Sequence, residues 1–128
     1  MTVLPKASPA DPKRGQIWEV NFDPSVGSEQ KKSRPAVVVS PSSIGSLPLR
    51  IVVPITGWSD KYERCPWMIR IPHLLLRDTG LTKESPADAF QVKSVSLERF
   101  ATELGRLRHE LMLEITDAIA LCVGFSPK

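Results

Sequence analysis

The sequence predicts a mainly β (α+β) domain, a small β-barrel carrying a C-terminal α-helix. Twelve prolines and seven glycines cut the chain into short apolar runs, which suits the strands of a barrel better than the long segments of a helical bundle. One stretch alone, residues 108–123, keeps apolar side chains at three- and four-residue steps, the period of an amphipathic helix. A length of 128 residues fits a single domain. With 41% hydrophobic and 24% charged residues, the chain can bury one core and is too apolar for wholesale disorder.

Taken in order, residues 1–12 read as a disordered, Pro-rich N-terminal tail, and 13–125 as the single domain. Residues 15–22 form a first strand, with Trp18, Val20 and Phe22 on one face. Residues 23–34 are polar, begin with turn formers and exceed what a hairpin needs, so they form a long loop. Residues 35–40 are apolar on both faces and β-branched, as in a central strand, with Pro35 tolerated at the first position. A third strand covers 49–56, where Pro54 calls for an edge or a bulge. A fourth covers 66–71, and 74–76 form a short turn. Two more strands are expected at 87–95 and 101–107, joined by a turn at 96–99. The last element is the helix, with Leu111, Ile115, Ala118, Ile119 and Cys122 inward and Gly124 as its stop.

Composition narrows the function. No run reaches the roughly 18 apolar residues of a membrane helix, because Pro48, Arg50 and Pro54 interrupt even the best candidate. Residues 1–12 lack the basic start and apolar stretch of a secretory signal, so a cytoplasmic location is expected. Seventeen Lys and Arg against 14 Asp and Glu give +3, too little to wrap a duplex but compatible with gripping a short single strand. Cys65 and Cys122 fit no ligand spacing and read as reduced structural thiols. His73 and His109 stand alone, which leaves few parts for a zinc site or a paired-histidine nuclease. No metal and no cofactor are expected.

The most informative segment is Gly27-Ser28-Glu29-Gln30-Lys31-Lys32-Ser33-Arg34-Pro35. It gathers donors, acceptors and three positive charges, a set that grips phosphate and base edges together. Arg34 falls where the loop enters the central strand, so its guanidinium projects from a rigid element. Taken alone, a basic tripeptide in a polar loop is more often a solvated charge cluster.

Several landmarks occur in order. They are Arg14-Gly15-Gln16-Ile17-Trp18, Asp23-Pro24, Val26-Gly27-Ser28-Glu29-Gln30, Arg34-Pro35-Ala36-Val37-Val38-Val39-Ser40, Pro54-Ile55-Thr56, Gly80-Leu81-Thr82-Lys83-Glu84-Ser85, Gln91-Val92-Lys93-Ser94-Val95 and Leu104-Gly105-Arg106-Leu107. Together they resemble the MazF/PemK toxins over residues 13–124. The resemblance implies an SH3-like barrel that forms a homodimer and cleaves single-stranded RNA without a metal, as the toxin half of a toxin–antitoxin pair. It implies Arg34 and Thr56 as catalytic positions, Glu29 and Gln30 as loop contacts to RNA, and Gln91 and Ser94 as a polar pair in the same cleft. The chain departs from the pattern at Lys31 and Lys32, where many relatives have glycine, and at Lys93, where arginine is common. These three lysines are further candidate RNA contacts, and base preference does not transfer across the changes. A cognate antitoxin is the expected partner, inserting an acidic or amphipathic tail into the cleft. DNA is reached only through that antitoxin, and no membrane is involved.

RNA carries its own nucleophile, the 2′-hydroxyl. An enzyme acting on it must align the attack, stabilise charge on phosphate oxygens and move two protons. Arg34 suits charge stabilisation, and Thr56 a hydrogen bond to phosphate or the 2′-hydroxyl. Glu29 is the carboxylate candidate for a base, and it reads equally as an acceptor from a base edge. Trp18 and Trp67 belong to predicted strands and are expected in the core, while Trp58 at a strand end serves either packing or base stacking. Two other classes remain: a CcdB-like toxin that binds and poisons DNA gyrase without cutting RNA, and a degenerate toxin that only binds its antitoxin and contributes to repression at DNA.

Overall fold

A computed structural model describes residues 10–44 and 47–126. Seven strands form a five-stranded antiparallel sheet and a separate hairpin: β1 (Gln16–Asn21), β2 (Ser33–Val38), β3 (Leu49–Pro54), β4 (Met68–Ile71), β5 (Ser85–Asp88), β6 (Lys93–Ser96) and β7 (Phe100–Arg106). The sheet order is β6-β3-β2-β1-β7, and β4 pairs with β5. An isolated bridge between Ile55 and Ala87 ties the hairpin to the end of β3. A short helix α1 (Leu76–Thr79) precedes β5, and the long helix α2 (His109–Cys122) closes the chain. The architecture is the mainly β fold with a C-terminal helix that the sequence predicts.

The central position of β2 explains its composition. Val37 and Val39 join Ile17, Val53, Ile55, Ile71, Met112 and Ile115 in one core. Ala36 and Val38, at the alternate positions, join Val20, Phe22, Val52, Val95 and Phe100 in a second core. A strand buried on both faces requires apolar residues at both parities. Register shifts between β1 and β7 on either side of Trp18 bend the sheet, as bulges do. Trp18 and Trp67 are half-buried rather than central; Trp18 packs edge-on against Phe100 and Trp67 tilts against Phe90.

Both prolines sit where ladder bonds are not needed. Pro54 pairs with Ala36, while Ile55 N, one residue on, donates to Pro35 O at 2.8 Å. The ladder from β3 to β6 ends at Val52, so the missing Pro54 donor deprives no partner. In α2, Met112, Ile115 and Ala118 are buried and Leu111 and Ile119 pack partly against the first core. Each fully buried side chain of the Met or Ile size contributes about 1.5–3 kcal/mol. Met112 joins the inward face that the periodicity had drawn without it.

Three expectations are corrected. The single strand expected over 87–95 is two strands in different sheets, because the Asp88 carboxylate accepts from Phe90 N at 3.1 Å and turns the chain through Ala89–Gln91. Such local side-chain-to-backbone bonds compete directly with a ladder. The second strand starts at Ser33 rather than Pro35, since Asn21 pairs with Ser33 and Val20 with Arg34. Of the tail expected to be disordered, residues 1–9 lie outside the described residues, whereas Pro12 is fully buried and its carbonyl accepts from Arg50 Nε at 2.8 Å.

One contact sets the position of residues 80–85, which matter for the site. Gly80 has φ +74, and a Cβ there would lie 2.1 Å from Leu104 O; a Cβ on Gly105 would lie 2.4 Å from Asp78 O. The backbone after α1 therefore rests directly on β7, as only glycine permits. Thr79 is fully buried; its hydroxyl donates to Leu75 O at 2.9 Å and accepts from Leu81 N at 3.3 Å. Among the described residues, no helix is long and apolar enough to cross a membrane.

Candidate active site

Strand register brings Arg34 and Thr56 together. Ala36 faces Pro54, and the Ile55 N to Pro35 O bond carries that register one step further. Thr56 then lies across from Arg34, at the cross-strand distance of about 4.5–5.5 Å between Cβ atoms. Both residues line one pocket of about 320 Å³, with Glu19, Pro35, Ile55, Gly57, Lys83 and Ser85 around them. The backbone of Thr56 is fixed by its N–H, which donates to Pro86 O at 3.1 Å.

Arg34 shows what the pocket is suited to hold. Its Nε is buried and finds no hydrogen-bond partner among the described residues, and no carboxylate among them pairs with its guanidinium. Buried donors rarely go unpaired, and an unpaired guanidinium on a strand is a fork for an anion with two adjacent oxygens.

Glu29, Gln30, Gln91 and Lys93 gather elsewhere, in a second groove shared with Ser28, Phe90 and Val92. Gln91 Oε1 accepts from Gln30 N at 2.6 Å. Glu29 Oε1 accepts from Val26 N at 2.9 Å, and its Oε2 lies 4.0 Å from Lys93 Nζ. Glu29 thus braces its own loop and borders the groove; it does not line the Arg34–Thr56 pocket, contrary to its reading as the base. Behind the groove, burial pushes the Asp88 carboxyl above the usual carboxylate range, against the opposing hydrogen bonds from Phe90 N and Gln91. Burial, with the Asp88 charge second, also raises the Cys122 thiol.

Four other candidates are placed away from both pockets. Lys31 and Lys32 are exposed. Lys32 has φ +62, the left-handed region that favours glycine; its N–H donates to Asp23 Oδ1 at 2.9 Å. Ser94 faces Ile51 on β6 and lines a different hollow with Ile44, Leu47 and Leu49. Alternation along the strand turns it away from Lys93, so the expected pairing of Gln91 with Ser94 in one cleft does not form. Trp58 is half-buried and has one ring face taken: the Arg70 guanidinium lies 4.2 Å from its centroid, and Arg70 is held by Glu84. Tyr62 meets the same indole edge-on. That arrangement favours packing over an open stacking platform.

Two pocket residues escaped the sequence reading. Glu19 sits on β1 opposite Pro35, and its only sequence signal was a polar side chain at the alternate position of an apolar strand. Lys83 lies in Gly80-Leu81-Thr82-Lys83-Glu84-Ser85, a matched landmark to which no role was attached. Among the described residues, no three of His, Cys, Asp and Glu gather as a metal cluster.

The chain and its fold resemble proteins already known. The chain is 33% identical over 115 residues to the endoribonuclease MazF9 of Mycobacterium tuberculosis, covering 85% of this chain and 93% of that protein. The fold superposes on the crystal structure of MazF from Deinococcus radiodurans with a TM-score of 0.74 and 24% identity, covering 89% of this chain and 97% of the other. It also matches a mycobacterial endoribonuclease solved in complex with its cognate antitoxin, with a TM-score of 0.69, 16% identity and coverage of 92% and 100%. Residues 13–123 match the family described as the PemK-like, MazF-like toxin of type II toxin–antitoxin systems, and the chain belongs to that family.

Proposed function

We propose that this protein is a sequence-selective endoribonuclease toxin that cleaves single-stranded RNA without a metal, through attack of the 2′-hydroxyl on the neighbouring phosphorus. The observation that carries the reading is the register that sets Arg34 across from Thr56 in one pocket, with the buried Arg34 Nε lacking an acceptor among the described residues. A phosphate oxygen supplies that acceptor. As the phosphorane forms, negative charge grows on the oxygens facing Arg34, so the guanidinium binds the transition state more tightly than the ground state. The Thr56 hydroxyl holds a second oxygen or the 2′-hydroxyl and fixes the line of attack.

The groove of Glu29, Gln30, Gln91 and Lys93 offers amide and carboxylate edges to bases flanking the cut, which is where sequence selectivity resides. Lys31 and Lys32 supply diffuse attraction to the strand. Active protein is a cytoplasmic homodimer restrained by a cognate antitoxin; the family membership and the antitoxin complex of the mycobacterial neighbour support that partner.

The test is incubation of purified protein with a long RNA in EDTA, beside Arg34→Ala and Thr56→Ala. Wild type yields ends bearing 2′,3′-cyclic or 3′-phosphate and 5′-hydroxyl, and an all-deoxy strand resists. Arg34→Ala loses activity by roughly 10²- to 10³-fold, the effect of removing one oxyanion donor. Absence of cleavage by folded wild type sinks the reading and leaves gyrase poisoning or antitoxin binding alone.

A further inference from the structure

Among the residues lining the Arg34–Thr56 pocket and the neighbouring groove, Phe90 is the single aromatic, and it is 65% exposed. A lone exposed apolar side chain is ordinary. Phe90 differs in what holds it and in what surrounds it. It stands in the middle of the turn Ala89–Gln91, which three bonds brace: Ala89 N donates to Trp67 O at 3.0 Å and Val92 N to Ala89 O at 3.3 Å, while Phe90 N donates to Asp88 Oδ1 at 3.1 Å. The Trp67 ring meets that of Phe90 at 5.9 Å and a tilt of 56°, so one residue anchors the backbone of the turn and backs its side chain. A ring held in this way loses little freedom when a flat partner covers it.

The groove beside the ring is polar. Glu29 Oε2 and Lys93 Nζ lie 4.0 Å apart, an acceptor next to a donor, and Gln30 lines the same wall. Of the lining residues only Phe90 and Val92 are apolar, which is too little for a protein partner that docks through a contiguous apolar patch. A nucleobase has the complementary design, with a π-face that stacks on an aromatic ring and an edge of donors and acceptors. Gln30 precedes Arg34 by four residues, at most about 14 Å of extended chain. A strand with its phosphate at Arg34 therefore brings a neighbouring base within reach of the groove.

Resting on the ribonuclease reading above, we propose that Phe90 is the stacking platform for an unpaired base flanking the cut, and that Glu29, Gln30 and Lys93 read the edge of that base. The two tasks separate. Stacking supplies affinity with little sequence preference, because every base has a π-face, whereas hydrogen bonds to the base edge discriminate. Changes at Phe90 alter how tightly the flanking base is held whatever its identity, and changes at Glu29 or Lys93 alter which base is preferred.

The probe is a short single-stranded RNA spanning a mapped cleavage position, with a 2′-deoxy residue at the cut so that it binds without turnover. Copies of it carry one abasic residue at successive positions on either side. For wild type, one abasic position is expected to weaken binding by about 5- to 150-fold, the range for loss of one base–aromatic stack. Phe90→Ala is expected to weaken the intact strand by a similar factor and to respond by less than about twofold to the abasic residue at that position, because one stack can be lost only once. Phe90→Trp keeps or raises affinity, and Phe90→Leu, equally apolar but without a ring, binds as weakly as Phe90→Ala. Circular dichroism and sedimentation of the free variants report fold and oligomeric state. Folded Phe90→Ala that binds the intact strand within about twofold of wild type, or two losses that multiply, overturns the platform while Arg34→Ala still tests the ribonuclease reading. A variant whose only defect is a smaller sedimenting species or a weaker hold on its antitoxin also overturns it, and gives the ring to a protein partner. Wild type that cuts no RNA overturns both.

Discussion

One of the bonds that tie the loop between β1 and β2 to the rest of the molecule can be tested at a single amide. Gln91 Oε1 accepts from Gln30 N at 2.6 Å, and Gln91 Nε2 reaches Asp88 Oδ2 only at 3.4 Å, a long and weak contact. In Gln91→Ala the Gln30 N–H loses its protein acceptor, and because Gln30 is half-buried water replaces it at modest cost. A net loss of about 0.5–1.5 kcal/mol raises local opening roughly two- to twelvefold, and amide hydrogen exchange at Gln30 accelerates by that factor. The Lys32 amide is the internal control, since it donates to Asp23 Oδ1 at 2.9 Å within the base of the loop. Arg99 secures that base independently through the carbonyls of Asn21 and Asp23, at 3.0 and 2.6 Å. Lys32 exchange is therefore expected to stay unchanged, and the urea midpoint to shift by no more than the same 0.5–1.5 kcal/mol implies. Equal acceleration at Gln30 and Lys32, or none at either, refutes the reasoning, because the loop would then open as one unit or be held by its own turns.

Lys32→Gly relieves a left-handed backbone at φ +62 worth about 1–2 kcal/mol. The added freedom of the unfolded chain offsets about 0.5–1 of it, so a urea titration is expected to show a net gain of roughly 0.5–1 kcal/mol; a loss contradicts the account. Asp88 makes stability depend on pH. Its carboxyl is raised above 3.8 in the folded protein, so the native state holds the proton more tightly than the unfolded chain. The stability this confers is complete below 3.8 and is lost as pH rises through the raised value. Asp88→Asn keeps an oxygen for Phe90 N and removes the buried charge. Its thermal midpoint is expected to equal or exceed that of wild type at pH 7 and to lack the decline wild type shows on going up from pH 4; an unchanged slope counts against the burial argument.

The readable parts of this fold are those where burial alone constrains the side chains. Val37, Val38 and Val39 had to lie between two cores because no polar residue interrupts either parity, and Ile115, Ala118 and Ile119 had to share a helix face because no strand repeats at that interval. What escaped were decisions made by single local bonds. Residues 87–95 read as one continuous strand, yet one Asp88 oxygen on Phe90 N ends β5 and sends β6 to another sheet. The Arg70–Trp58 contact was equally hidden, since it depends on β4 passing the end of β3.

The same contrast explains why Glu29, the carboxylate nearest Arg34 in sequence, borders a different groove. Glu29 shares a loop with Arg34, but a loop of that length returns to the sheet only at Ser33, and its acid ends against Val26 N and Lys93. Glu19 is three times as far along the chain from Arg34 and one strand away, but pairing of Val20 with Arg34 and of Glu19 with Pro35 turns its side chain to the other face of the sheet. A motif names the residues that a family keeps in line along the chain. Gathering residues around one phosphate requires neighbours across the strands, and in a β-sheet that second direction is set by register, which the alternation of side chains constrains only to within a face.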